Sequence, residues 1–503
     1  MEKEVLLRPG TPDDDNREYL PEKIKGSDIV VNENGNNSQP YPERLKEFHD
    51  ALTPDGKEDT WYEYVPASYD PSKKTPLVVS LHGGLMTGWG HAIYTSWTMV
   101  ADREGFICVF PDAHSKRMWT VEGVFDNFDP KDAPDLPIQL APKDWTENHD
   151  LKFLEALILH MEKTYNIDPG RVFMQGMSMG NLMTSMFARY KGQLLAGAAG
   201  SGGPTKPELL YTQDGQIINR GGPMAIWQSR PEKNGLPPGG HYDEAEVNKY
   251  SRFYWLKINE CDPIPQIRIE GEDNFAFYHG KKADLVYLDI KNRDHGQTLD
   301  EAFLYWDYLF SGVRKNPDGT LEMGKSIRPR VGDEFAIAVS EGYDQCWFRN
   351  QLHPLKTPAV RWQKLKYHGL NGGQIVRGEY LCVPLSFLAE AVGAQYLPNE
   401  DGSEVELVLQ DGRHVQFARG SIGCVIDDTM RCMYCEALHR SGELLVSIEW
   451  FCKYLFNYHV SSCNGVVYVT DHFIDLSYFM ADLIKDLFAG KAMPDDFSNI
   501  VVD

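Results

Sequence analysis

Arg171-Val-Phe-Met-Gln-Gly176-Met-Ser178-Met-Gly180, running into Asn181-Leu-Met-Thr-Ser-Met-Phe-Ala-Arg-Tyr190, decides the fold. The apolar run to Gln175 reads as a buried strand, and the residues from Asn181 carry a helical period. Gly176-Met-Ser178-Met-Gly180 is therefore a G-x-S-x-G turn between a strand and a helix, the setting in which that motif exposes a nucleophilic serine. The glycines relieve crowding in the turn. The helix N-terminus behind the serine favours negative charge developing on a substrate oxygen.

Outward from this turn the chain alternates between strand and helix patterns. Upstream lie strands at Tyr62–Pro66, Leu77–Leu81 and Phe106–Phe110 and helices at Trp97–Glu104 and Leu151–Tyr165. Downstream lie strands at Pro223–Gln228 and Leu285–Ile290 and helices at Asn248–Asn259 and Leu299–Phe310. This alternation predicts an α/β class, a doubly wound sheet with sites at the strand C-termini, and the G-x-S-x-G turn within it makes the expected fold an α/β-hydrolase sheet. The expected organisation is an arm over 1–60, a catalytic domain over 61–312 and a polar linker over 313–332. A smaller α+β accessory domain follows over 333–476, then a C-terminal helix and tail over 477–503. In that second domain Val383-Pro-Leu-Ser-Phe-Leu-Ala-Glu aligns with Val446-Ser-Ile-Glu-Trp-Phe-Cys-Lys, each running from a strand end into a helix.

The composition limits the function. At 503 residues the chain is about twice what one hydrophobic core serves. It is 42% hydrophobic and 24% charged, with 73 acidic against 50 basic residues and a formal charge of −23. That excess argues against nucleic acid and anionic membrane as partners. No segment has the length and apolarity of a membrane span; Gly192–Thr205 is too short and too rich in glycine. The acidic start predicts no signal peptide and a cytoplasmic protein, with export from a trimmed chain as the alternative. Seven of the nine cysteines follow residue 340. Cys432 and Cys435 form a C-x-x-C whose only candidate co-ligands are Cys424 and His439, and buried thiols are the simpler reading.

The expected chemistry is that of a Ser-acid-His triad. Ser178 is the nucleophile. His295, in Asp294-His295-Gly296 between a strand and a helix, is the base, ahead of His241 in a Pro/Gly-rich insertion and His279 in a polar loop. Glu232, after the strand Pro223–Gln228, is the expected acid, with Asp262 as the alternative. His82-Gly83-Gly84 ends a buried strand, so the N–H groups of Gly84 and Met179 are expected to form the oxyanion hole, with His82 orienting the loop. Trp89, Trp119 and Trp227 are candidates to line an aromatic acyl pocket, and Lys233–Asn248 to cover it as a lid. No metal or organic cofactor is implied.

Leu81-His82-Gly83-Gly84, Phe110-Pro111-Asp112, Asp168-Pro-Gly-Arg171 leading into the Ser178 turn, and Trp255…Asn259-Glu-Cys261 resemble the polyhydroxybutyrate depolymerase/feruloyl esterase group of α/β hydrolases over residues 60–312. The resemblance implies a serine esterase acting on aromatic, acetyl or short polyester substrates. It also implies an acid where Glu232 stands, although Asp is usual there, and Asn259-Glu-Cys261 stands where the group has Asn-Gly-Cys. Tyr380–Ala394 resembles the repeat of the copper amine oxidase N-terminal-like domain, with Ser447 replacing the expected Pro in the second copy. No histidine cluster accompanies it, so copper is not implied. Lid, homo-oligomer contact, glycan-binding piece and stabilising appendage are its candidate roles. Both resemblances make export plausible, against the acidic start. A serine peptidase of the same fold and a catalytically dead binding or scaffold protein are the competing functions.

Overall fold

The computed structural model describes residues 42–115, 117–125, 131, 138–234, 242–368 and 373–501. Of these, residues up to Pro263, Phe277–Arg330 and those from Pro494 form one compact unit. Ile264–Ala276 and Val331–Met493 form the other.

The first unit contains strands β1 (Leu45–Asp50), β2 (Asp59–Tyr64), β3 (Thr75–Leu81), β4 (Ile107–Pro111), β5 (Ile167–Met177), β6 (Gly197–Ser201), β7 (Ala225–Lys233) and β8 (Leu285–Asp294). They lie side by side in the order β1-β2-β4-β3-β5-β6-β7-β8. β2 runs antiparallel to both neighbours, and every pair from β4-β3 to β7-β8 is parallel. That order and polarity are those of an α/β hydrolase. β4 is buried throughout and β3 at all but one position, which is why both read as continuous apolar runs. The connections carry helices α1 (Gly88–Tyr94), α2 (Trp97–Glu104), α3 (His149–Thr164), α4 (Met179–Lys191) and α5 (Glu244–Asn259), and α6 (Glu301–Tyr308) follows β8.

Strand β6 carries no strand signal in the sequence because it is Gly-Ala-Ala-Gly-Ser, with neither branched nor aromatic residues. Its small side chains are a packing requirement: a Cβ on Gly200 would lie 1.6 Å from Asn181 Oδ1 on α4. The described end of the expected 1–60 arm, Leu45–Asp50, is the edge strand β1, paired residue by residue with β2; residues 1–41 lie outside the described residues. The expected 313–332 linker is also folded. Val313–Lys315 and Leu321–Met323 form an antiparallel hairpin, the Lys315 ammonium donates to Gly192 O at 2.7 Å, and Arg330 pairs with Asp284 at 2.8 Å. At the C-terminal end Phe497 stacks on Tyr211 at 5.4 Å, and Tyr242 donates to Ile500 O at 2.7 Å.

The second unit is built of antiparallel sheets around a main core that includes Ile337, Leu381, Leu388, Leu407, Leu444 and Val469, with a smaller cluster of Cys382, Cys435, Leu438 and Leu445. The two aligned segments are strand-to-helix units: Gly373–Pro384 runs into Leu385–Val392, and Glu443–Ser447 into the turn from Ile448. Their strands pair antiparallel, with Val383 opposite Val446. Ser447 accepts the Trp450 N–H through its hydroxyl, so the residue that replaces proline caps the helix.

α4 also approaches the end of β3 closely. A Cβ on Gly180 would sit 2.2 Å from Leu81 O, and one on Gly176 would sit 2.1 Å from Gly180 O. Gly180→Ala is expected to lower stability by about 1–3 kcal/mol through overpacking, read as a lower urea midpoint. An unchanged midpoint would show that the turn has room to spare.

Candidate active site

Ser178 occupies the turn from β5 into α4 with φ 56° and ψ −118°. A non-glycine residue held in that region costs on the order of 1–3 kcal/mol, which the neighbouring close contacts sustain. The strained backbone has a chemical consequence. Ser178 stands at the N-cap of α4, where a serine ordinarily turns its hydroxyl back onto the helix, yet here it makes no cap hydrogen bond. Its N–H donates to Ser201 O at 2.9 Å and its carbonyl accepts from Leu182 N at 3.1 Å, so the backbone is fixed while Oγ is left to the cavity.

The loop after β3 lies alongside. A Cβ on Gly84 would meet Met179 Sδ at 3.3 Å, and Leu85 takes φ 66° to turn the chain away. His82 is fully buried behind this loop. Its Nδ1–H donates to Gly83 O at 2.6 Å, its Nε2 accepts from Ala113 N at 3.0 Å, and its carbonyl accepts from Trp119 Nε1 at 2.8 Å. Burial pushes its pKa down to about 4, so the ring stays neutral and holds the loop. Met179 is the first residue of α4, and its N–H has no intrahelical acceptor.

His295 follows β8 and shares with Ser178, Met179 and Asn234 a cavity of about 360 Å³. Its Nδ1–H donates to Asn234 Oδ1 at 2.6 Å. Glu232, the expected acid, is placed elsewhere: its Oε2 accepts the Asn292 N–H at 3.1 Å. The two positions lie two residues apart at the end of β7. β8 is irregular here, with Ile290 to Asp294 set against only Pro231 to Lys233 of β7, and Asn234, just past β7, is the residue that reaches the ring. Asp262 sits in the turn after α5, its N–H donating to His279 O at 3.0 Å, while His279 pairs with Asp284. His241 and most of the Lys233–Asn248 insertion lie outside the described residues. Asn234 is not a carboxylate, and the one sequence signal for it is its place immediately after the strand that carries Glu232.

Gly202 and Gly203, both at positive φ, make room for this pair. A Cβ on Gly202 would lie 3.1 Å from His295 Cε1 and 3.6 Å from Asn234 Oδ1, and one on Gly203 would lie 2.8 Å from Ser178 O. The Asn181 amide donates to both glycine carbonyls and pins the turn. Ser201 joins the two halves of the site: its carbonyl holds Ser178 N–H, and its hydroxyl donates to Gly296 O at 3.0 Å.

The three candidate tryptophans do not line the cavity. Trp119 and Trp227 are 1% exposed, bonded through their indole N–H to His82 O and Ser229 Oγ, and Trp89 is a surface residue at 44%. The apolar lining comes instead from Val121, Phe125, Leu182 and Leu209. Glu244 also reaches the cavity, with its carboxylate 3.0 Å from Arg230.

No family model matches the chain. It is 26% identical over 151 residues to a bifunctional acetylxylan esterase/xylanase of Neocallimastix patriciarum, covering 30% of this chain and 19% of that protein. It is 27% identical over 220 residues to poly(3-hydroxyalkanoate) depolymerase C of Paucimonas lemoignei, covering 44% and 48%. The chain thus spans less than half the length of either relative, and both names describe ester hydrolases. Among solved structures, the acetyl xylan esterase of Aspergillus awamori aligns with TM-score 0.36 at 14% identity, over 52% of this chain and 97% of that one. A ferulic acid esterase of Anaeromyces mucronatus aligns with TM-score 0.34 at 17% identity, over 55% and 93%.

Burial holds the His295 pKa below its ordinary 6.5, against an opposing pull from Asp294. A lowered histidine pKa keeps the ring neutral to lower pH. Any His295-dependent activity should therefore persist below pH 6.5 and fall only in more acidic buffer, and Asp294→Asn should move that limb lower still. A limb at or above pH 6.5, or one that Asp294→Asn moves upward, contradicts the assignment.

Proposed function

We propose that the first unit is a serine carboxylic-ester hydrolase working through an acyl-enzyme. The observation that carries this reading is the convergence on one cavity of an uncapped Ser178 hydroxyl and a His295 ring whose Nδ1–H is held by Asn234. With Nδ1 protonated, His295 Nε2 is the free base. Ser178 Oγ attacks the acyl carbon as its proton passes to Nε2, and the Gly84 and Met179 N–H groups receive the oxyanion. Collapse breaks the ester C–O bond, and His295 returns the proton to the leaving alcohol. Water then repeats the sequence on the acyl-serine and releases the acid.

The acyl class follows from the walls and the relatives. Val121, Phe125, Leu182 and Leu209 offer apolar surface in a cavity of the size that holds small ligands. The names of the curated relatives point to acetyl esters of polysaccharide and to hydroxyalkanoate polyesters. An aromatic, feruloyl-type acyl group suits the same walls. One observation favours a second reading, a binding protein on a hydrolase scaffold: the histidine's partner is a neutral amide where a carboxylate is usual.

Turnover of p-nitrophenyl acetate, methyl ferulate and a 3-hydroxybutyrate oligomer tests the proposal. Ser178→Ala should abolish hydrolysis and labelling by a fluorophosphonate probe; full activity in that variant would sink it, and a wild type that neither turns over nor labels supports the scaffold. Asn234→Ala should lower kcat by about 10²–10⁴, and Glu232→Gln by less than about tenfold. The reverse ranking would return the acid role to Glu232.

A further inference from the structure

Away from the Ser178 cavity, three side chains from separate parts of the first unit point at one another. Asp59 begins β2, His114 lies in the loop after β4, and His149 begins α3. Asp59 Oδ1 is 2.9 Å from His114 Nδ1 and 3.0 Å from His149 Nε2, and Asp59 Oδ2 is 3.1 Å from that same Nε2. One donor atom from each residue lies within 4.8 Å of the others. A cation about 2.1 Å from each donor sets neighbouring donors about 2.9–3.4 Å apart, depending on the polyhedron. The two separations to Asp59 lie at the short end of that range.

The surroundings match what a metal-binding histidine requires. His149 Nδ1 is 2.9 Å from Asp55 Oδ2, so the ring is oriented by a carboxylate on one nitrogen and presents the other to the shared point. Asp55 is in turn held by the Thr53 hydroxyl at 2.5 Å. The His114 backbone N–H donates to buried Asp150 at 3.1 Å, which fixes the loop that carries the second imidazole. The Asp59 carboxylate is wholly buried while His114 is 25% exposed, so the cluster has a buried floor and an open side for entry and a fourth ligand. Among the described residues this is the one group of three or more such side chains at ligand spacing.

We propose that Asp59, His114 and His149 bind a divalent transition metal, with zinc the metal that a two-imidazole, one-carboxylate donor set suits. The ion would clamp β2, the loop after β4 and the start of α3 together. That loop continues from Ala113, whose N–H holds His82 behind Gly83-Gly84, so the clamp steadies one wall of the candidate active site. The rival reading is an ion-pair network bridged by protons alone.

The test uses the full chain, stripped with chelator, refilled with zinc alone and dialysed, with metal content and melting temperature as readouts. Wild type should retain one equivalent and melt higher with zinc. His114→Gln, at a partly exposed position, should lose both effects while keeping its circular dichroism, and Asp55→Asn should bind about 10–100-fold more weakly. A Cys432→Ser/Cys435→Ser variant should keep its equivalent. The proposal is overturned if wild type retains no stoichiometric zinc, if His114→Gln keeps it, or if it leaves with the two cysteines.

Discussion

The approach of α4 to the sheet is the constraint from which the rest of the first unit follows. Helix and strand ends come so near that Gly180 has no room for a methyl group beside Leu81 O, and Gly200 none beside Asn181. At that distance the chain cannot pass from β5 into α4 through ordinary backbone angles, and Ser178 takes the strain at φ 56°. The strain turns a residue type that normally closes a helix start into one that presents its hydroxyl outward. Packing, backbone angle and candidate chemistry are therefore consequences of one contact.

A second set of interactions ties the histidine loop to that turn. Ser201 reaches both, and behind it the fully buried Glu301 accepts from Thr298 N at 2.6 Å and Tyr305 Oη at 2.6 Å, with Ser201 Oγ at 3.3 Å. Burial raises its pKa to about 7. The cost of placing a carboxyl there is offset by the Thr298 N–H and the Tyr305 hydroxyl, and the Ser201 hydroxyl beside it donates to Gly296 O, so the group brackets the loop from Gly296 to Thr298. His295 thus sits on a loop anchored from beneath, while Asn234 and Gly202 fix its ring from the sides.

The sequence carried the elements whose signal is local. The apolar runs of β3, β4 and β5, the period of α3 and α4 and the G-x-S-x-G turn all announce themselves within a dozen residues. β6 did not, because its Gly-Ala-Ala-Gly-Ser composition answers to α4 rather than to strand propensity. β1 did not, because as an edge strand only Leu45 is buried. Asn234 lies outside an expectation limited to carboxylates, Trp119 and Trp227 are core residues because an indole packs in a core as readily as it lines a pocket, and Trp89 lies on the surface. Asp59 is separated from His114 and His149 along the chain by whole elements, and the sheet order that sets β2 beside β4 brings them together. The hairpin over 313–323 read as a linker because its polar residues pair with each other and with the unit beneath.

Asn234 and the lowered pKa of His295 belong together. A carboxylate at that position would oppose burial by favouring the imidazolium; an amide oxygen accepts the same Nδ1–H without adding charge, so burial prevails. The ring is then a base that stays available in mild acid. In the proposed mechanism the protonated form accompanies each tetrahedral intermediate, and its Nδ1–H would face the neutral Asn234 amide. The arrangement exchanges transition-state stabilisation for a base that stays unprotonated, with the tautomer still set by geometry. Asp294 pulls the pKa of the ring upward, and in the proposed mechanism the N–H groups of Gly84 and Met179 would stabilise the oxyanion. In that mechanism the strained turn at Ser178 would aim the nucleophile and set the Met179 donor, so a neutral histidine partner would make the site depend more heavily on the contact between α4 and β3.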